Sequence, residues 1–450
     1  MKRLLSCLHL KNLFNRSNLT NYFGNFFQKR AVSIGAAFFI FSNQNAFILT
    51  FVLTIKIKIK VEMMLKKVSS ERISTMGESI FTTMSKLAFE KNAVNLGQGF
   101  PDFDGYAMIF ESAYRAMKEG KNQYAPSPGI KSLRDVISVV NGNHYGVAYN
   151  PDTEITITAG ATEALYCVMQ AFLNSGDEAI LFEPYYDAHF ADVILAGGIP
   201  KFVTLHKPDF SFSIEELEQA ITPKTKLIVL NTPHNPTGKV FSTAELKIIA
   251  EIAVNHNLLV VSDEVYEFLT FDSVKHFPIS KLEGMKERTI TISSTGKTFG
   301  STGWKIGYVC AAKGLTDSIR KVHQWTTFAV NTPAQHAMAD AFGTLDTYLP
   351  DFRALYQNKR DLLYNALKGS EYNPYLPEGS YFMMIDVPHK FDNDVDAAMK
   401  LVTEFGVAVI PPSVFYSKSD EGATLLRLCF AKKDETLIKG AENLLKALKV

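Results

Sequence analysis

The chain lacks paired cysteines, a surplus of charge of either sign, and any apolar run long enough to cross a bilayer. Its four cysteines, Cys7, Cys167, Cys310 and Cys429, are scattered, with no CxxC pair and no histidine cluster beside them. This spacing speaks against a disulfide framework and against a bound metal, and reads as reduced core cysteines of a cytoplasmic protein. Lys and Arg total 47 against 46 Asp and Glu, a formal net charge of +1. No basic excess is present to hold nucleic acid, and no acidic tail. The two apolar runs near the start, Ala31–Phe41 and Ala46–Ile55, are split by Ser42-Asn43-Gln44-Asn45. Neither alone reaches the roughly eighteen residues of a membrane-spanning helix.

Acidic residues are missing from one region. Residues 1–62 carry a single one, Glu62, and are rich in Phe, Asn, Lys and Ile. Three readings stay open for this stretch: an upstream extension of a chain whose true start is Met63 or Met64, an organelle-targeting segment, or a membrane anchor built from both apolar runs. A membrane tether is not the expectation. The remainder has ordinary globular composition, and 450 residues suffice for two or three domains with a large core.

From Val94 to Val309 short apolar runs alternate with amphipathic stretches. Strands are expected at Ile155–Thr158, Ala179–Phe182, Phe202–Leu205, Lys226–Leu230, Leu258–Ser262, Thr289–Ser293 and Ile306–Cys310. Helical patterns such as Glu163–Leu173, Ser213–Ala220 and Thr243–His256 lie between them. Continuous apolar strands alternating with helices predict an α/β fold, a parallel sheet covered on both faces. Ligands of such sheets sit outside the carboxyl ends of the strands, so functional residues are expected just past each run. After about Leu345 the pattern changes to a long helix, three short strands and a final helix, a smaller α+β domain.

Four segments fall at those strand ends. Thr158-Ala159-Gly160-Ala161-Thr162-Glu163 runs from strand to helix through small residues, and its free amides with the Thr162 hydroxyl suit a phosphate. Leu230-Asn231-Thr232-Pro233-His234-Asn235-Pro236-Thr237-Gly238 is a loop stiffened by proline that aims the Asn235 amide, with a cis Asn-Pro bond as a candidate. Ser262-Asp263-Glu264-Val265-Tyr266 offers an aspartate that is a helix cap, a metal ligand, or an acid facing a pyridine nitrogen. In Ser293-Ser294-Thr295-Gly296-Lys297 a lysine follows an apolar strand among small residues. Burial there lowers the ammonium pKa and makes the amine nucleophilic. Each segment alone is an ordinary turn; their order along successive strands is not.

In that order, with Gly97-Gln98-Gly99-Phe100-Pro101, Pro184-Tyr185-Tyr186, Thr302-Gly303-Trp304-Lys305 and Arg427-Leu428-Cys429-Phe430, the chain resembles the class I/II aminotransferases of pyridoxal-phosphate fold type I. The likeness runs from about Ser74 to the C-terminus and is nearest to the methionine and kynurenine/glutamine aminotransferase branch. It implies a mostly parallel seven-stranded sheet in a large domain over 111–344. A smaller domain would be built from 63–110 and 345–450, with 1–62 outside as an extension. It further implies pyridoxal 5'-phosphate held as a Schiff base on Lys297, with Asp263 at the ring nitrogen. Tyr266 and Asn235 would hold the phenolate oxygen and Tyr186 the ring face, with His189 as a candidate behind Asp263. Ala161, Thr162, Ser294 and Lys305 would hold the phosphate, joined by Tyr124 from a partner subunit. Arg427, with Gly99 and Asn235, would take the substrate carboxylate, and Phe328 would reach across a homodimer. Where many aminotransferases carry arginine this chain has Lys305, a point charge in place of a planar fork. Tyr106 stands where proline is frequent.

The expected activity is transamination between an L-amino acid of methionine, aromatic, kynurenine or glutamine type and a 2-oxo acid. Phe100, Tyr106, Trp325 and Phe328 are expected to line an apolar pocket, and no second arginine is evident for an acidic side chain. The alternative on the same residues is a cysteine-conjugate carbon–sulfur β-lyase. A transcription-regulator role would need a helix-turn-helix, for which residues 1–62 show no pattern.

Overall fold

The computed structural model describes residues 70–74 and 76–449. Expectations for residues 1–62, and for Cys7, lie outside the described residues. Of the described cysteines, Cys167, Cys310 and Cys429 are free and buried. Among the described residues no helix is long and apolar enough to cross a membrane, and no cluster of His, Cys, Asp or Glu is arranged to hold a metal.

A first short strand, β1 (Val94–Asn95), belongs to a small two-stranded sheet. The seven runs read from the sequence become β2 (Ile155–Thr158), β3 (Glu178–Glu183), β4 (Ile199–Thr204), β5 (Thr225–Asn231), β6 (Leu259–Asp263), β7 (Thr289–Ser294) and β8 (Gly307–Ala311). They form one seven-stranded sheet in the order β2-β8-β7-β6-β5-β3-β4. Alternate residues of a strand face opposite sides of its sheet. Ile180, Ile228, Leu230 and Val260 accordingly join one buried core. Ala179, Leu181, Leu227, Val229 and Val261 join another on the opposite face. Two covered faces explain why these strands read as unbroken apolar runs.

β8 departs from the parallel pattern. It pairs antiparallel with both β2 and β7. Its first residue, Gly307, lies opposite Thr158 and Ser294, the last residues of those neighbours. The segment that enters β8 therefore arrives at the same sheet edge that the other strands leave.

The C-terminal part supplies β9 (Phe382–Asp386), β10 (Val407–Ala408) and β11 (Leu425–Cys429). β9 and β11 pair antiparallel, and β10 pairs with β1. The long helix Leu345–Leu367 and the last helix Asp434–Ala447 flank these strands, with Leu363, Leu367, Leu437 and Leu444 in their shared core.

Candidate active site

A cavity of about 260 Å³ opens at the carboxyl edge of the large sheet. Eleven of the residues singled out from the sequence line it: Gly99, Ala161, Thr162, Tyr186, Asn235, Asp263, Tyr266, Ser294, Lys297, Lys305 and Arg427. Tyr124 and Phe328 do not. They are 83% and 49% exposed and touch each other edge to face at 5.4 Å between ring centres.

One end is built from backbone. The helix Gly160–Phe172 begins at the cavity wall; its N-cap residue Ala159 offers no capping side chain, and Glu163 Oε2 accepts from the Ala159 amide at 2.5 Å. Its leading amides lack intrahelical partners and carry the positive end of the helix dipole. Gly160 takes φ +76, and a Cβ on Gly307 would lie 2.6 Å from the Gly160 carbonyl carbon, so β8 and the helix start approach too closely for any side chain. Lys305, brought to this edge by the reversed direction of β8, sets its Nζ 3.3 Å from Thr162 Oγ1. Amides, a hydroxyl and an ammonium together make an anion cradle.

At the centre, Asp263 ends β6, and its Oδ2 lies 2.9 Å from His189 Nε2, both groups buried. The sequence left His189 between this position and a surface one; it is 2% exposed. Tyr186 caps the helix that carries His189 and sets its ring edge-to-face at 5.5 Å. Asn231 knits the strand ends together, donating to the Asp263 carbonyl at 2.9 Å and accepting from the Asn235 amide at 2.8 Å. The Asn235-Pro236 bond is cis.

Lys297 sits in the middle, half-buried. Its Nζ donates to the Tyr381 hydroxyl at 2.6 Å and to Gly99 O at 3.4 Å. Burial pulls its pKa from the ordinary 10.5 to about 8, against the opposing pull of Cys429 and Asp263.

The far end is closed by Arg427 on β11, 1% exposed. The guanidinium lies 4.3 Å from the Phe382 ring centre and 4.8 Å from that of Phe81. Nη1 donates to Asn235 Oδ1 at 3.1 Å and Nη2 to Gly97 O at 2.7 Å, while Nε has no partner among the described residues. No carboxylate pairs with it among the described residues, and burial lowers its pKa. A buried guanidinium with an idle donor is a strong recruiter of a carboxylate.

The aromatic lining differs from the sequence expectation. Tyr106 packs against Tyr348 at 4.5 Å and bonds Thr344 at 3.2 Å, while Trp325 is 85% and Phe100 46% exposed. None of these, nor Phe328, lines the cavity; Phe81, Tyr186, Tyr266 and Phe382 do. Stacking inside the core holds Tyr106 away. Tyr381 and the role of Asn231 were also missed. Gly379-Ser380 ahead of an apolar run was the available signal for Tyr381, since small residues flank Lys297 in the same way.

A carboxyl-edge cavity holding a half-buried lysine, a strand-end acid and an anion cradle defines a pyridoxal-phosphate enzyme of fold type I. Residues 91–444 match the sequence profile of aminotransferase class I and II, and the chain belongs to that family. It is 41% identical to methionine aminotransferase of Escherichia coli (strain K12) over 381 residues, 84% of this chain and 98% of that protein. It is 40% identical to a kynurenine–oxoglutarate transaminase of Dictyostelium discoideum, covering 84% of this chain and 96% of that one. The crystal structure of an E. coli methionine aminotransferase superimposes with a TM-score of 0.81 at 40% identity, over 84% of this chain and 99% of that one. The N-succinyldiaminopimelate aminotransferase of Mycobacterium tuberculosis gives 0.81 at 39%, with the same coverage. The chain is therefore a transaminase that works with pyridoxal 5'-phosphate on amino acids and 2-oxo acids.

The residues present fit that cofactor. The cradle at Thr162 and Lys305 suits its phosphate, and the buried Asp263–His189 pair suits its ring nitrogen.

Proposed function

We propose that this aminotransferase takes amino donors with uncharged side chains, of methionine, aromatic, kynurenine or glutamine type. One observation carries the reading. Among the described residues, the cations lining the cavity are Lys297, Lys305 and Arg427 alone. Lys297 is the reacting amine, Lys305 faces the phosphate cradle and Arg427 takes the α-carboxylate, so no cation remains for an acidic side chain. The rings of Phe81, Tyr186 and Phe382 offer an apolar surface instead.

Bound pyridoxal phosphate supplies the electron sink that makes an amino acid's Cα–H acidic. This chain's residues do the rest. Arg427 fixes the carboxylate and so orients the Cα–H bond. Asn235, its carbonyl oxygen engaged by Arg427, keeps its amide N–H to donate to a ligand, and Tyr266 offers its hydroxyl. Asp263, backed by His189, holds a proton at the ring nitrogen, and Ala161, Thr162, Ser294 and Lys305 hold the phosphate. Lys297, with a pKa of about 8, is neutral in a useful fraction near that pH and takes the Cα proton and returns it.

The test is an absorbance titration of the loaded protein with methionine and then with a 2-oxo acid. Reversible conversion between the two cofactor forms supports the reading, and turnover of aspartate in preference to methionine sinks it. Stoichiometric pyruvate from a cysteine conjugate without an oxo-acid acceptor would mean a carbon–sulfur β-lyase.

A homodimer belongs to the same proposal. Tyr124 and Phe328 touch and are exposed, as is Trp325 three positions before Phe328 in the chain, aromatic surface of the kind that a second copy covers. Sedimentation as an active monomer would refute it. A cytoplasmic location is proposed on the free buried Cys167, Cys310 and Cys429, with fractionation as its check.

A further inference from the structure

Tyr381 is 1% exposed and does not line the cavity, yet its oxygen is the nearest partner of the Lys297 amine, at 2.6 Å. The same hydroxyl donates to Gly99 O at 2.5 Å. A phenol has one proton to give. With that proton committed to Gly99, the oxygen only accepts from Lys297. Gly99 O, the other partner of the amine, also only accepts. Every hydrogen bond made by Lys297 Nζ therefore spends an N–H, and none engages the lone pair of the neutral amine. The ring is held in place against Phe382 at 4.8 Å, Tyr266 at 4.9 Å and Tyr356 at 6.2 Å. Burial pushes the phenol pKa well above its usual value, which keeps the hydroxyl protonated.

We propose that Tyr381 is the positioning residue of the Lys297 amine, its hydroxyl anchored on Gly99 O so that the amine is held by its protons and its lone pair is left free for the substrate. The proposal rests on the reading of Lys297 as the proton-transferring group. Without the hydroxyl the amine would keep its burial but rotate between orientations, most of them unproductive.

The charged and titratable groups that face Lys297 are Tyr381, Tyr266 (its ring at 5.6 Å and its hydroxyl beside that of Tyr381), Asp263, Cys429, Lys305 and Arg427. Tyr381→Phe alters only the first and keeps the ring and its packing. Two measurements on the full chain decide the matter, with melting temperature as a control for folding. The first, on cofactor-free protein, follows the labelling rate of Lys297 by trinitrobenzenesulfonate against pH, read by peptide mass. An ammonium loses more than a neutral amine when an acceptor is removed, so the midpoint is expected to fall by about one pH unit. The second is steady-state transamination, where kcat is expected to fall about tenfold and KM for methionine to stay within about twofold. An unchanged midpoint overturns the proposal. So does a raised KM with kcat retained, because Tyr381 would then act on the Gly99 segment alone. Should Tyr381→Phe melt early, 3-fluorotyrosine placed at position 381 weakens the acceptor without removing it and must lower the midpoint in the same sense. If the wild type fails to transaminate, the functional reading falls while the labelling comparison still stands. If it transaminates and both proteins label alike, only the role of Tyr381 falls.

Discussion

At one end of the cavity an exposed lysine and the first turn of a helix face its interior; at the other a buried arginine does so among aromatic rings. The Lys305 end is assembled from backbone amides and one hydroxyl, within reach of water. Water screens such a charge, so each group there contributes little and the site works by number. The Arg427 end buries its guanidinium among aromatic rings and, among the described residues, has no acidic partner of its own. A charge kept there is unfavourable until a carboxylate arrives, and this makes the interaction strong and specific. On the proposed reading, a permanent cofactor occupies the first end and a transient substrate the second. A transient ligand needs discrimination at each turnover, and the buried end provides it.

Substitutions can break this contrast, and the largest effect is expected at the buried end. Arg427→Met should lower kcat/KM for methionine by about a thousandfold, roughly 4 kcal/mol, with cofactor affinity unchanged. A loss of cofactor affinity without loss of kcat/KM would exchange the roles of the two ends.

Next in size comes the pH dependence of Lys297, between the ends. Its folded pKa of about 8 lies below the ordinary 10.5. Between those values the unfolded chain keeps a proton that the folded chain has released, so stability rises with pH across the window. Below pH 8 the unfavourable burial of the charged amine is present in full. Cofactor-free Lys297→Met should therefore be more stable than wild type at pH 7, by roughly 2 kcal/mol after discounting for its opening to the cavity. The advantage should shrink as pH climbs toward 10.5; denaturation curves that stay parallel from pH 7 to 10 would contradict the shift.

Smaller again is Lys305→Ala, expected to weaken cofactor binding about tenfold at low salt, and less at high salt, in an equilibrium titration. A salt-independent loss would mean that this end is buried in the working enzyme. Thr162→Val should be the mildest, removing one hydroxyl from a cradle of several donors for about 1 kcal/mol of cofactor affinity. A hundredfold loss there would show that the exposed end does not work by number.

Much of the large sheet was legible because its strands are buried on both faces and so appear as unbroken apolar runs. The observed strands fall within a few residues of every expected one, and Lys297, Asp263 and Asn235 lie just past their runs as a carboxyl-edge site demands. Lys305 broke that rule. It precedes its run, and only the antiparallel direction of β8 carries it to the site. The aromatic lining was misjudged for a related reason. Period and composition mark Tyr106 and Phe382 alike as apolar, but packing against Tyr348 withdraws the first, while the pairing of β9 with β11 presents the second beside Arg427.

By itself the sequence determined the strand and helix pattern and the place of the lysine, acid and loop at successive strand ends, because these depend on neighbours close along the chain, and the family resemblance carried by those segments pointed to the chemistry. Tertiary structure alone decided which distant side chains meet. It set Tyr381 against Lys297 across 84 positions and Arg427 against Asn235 across 192. It also left Arg427 Nε buried without a partner among the described residues. Those contacts arise from the packing of separate sheets, and no local pattern of residues encodes them.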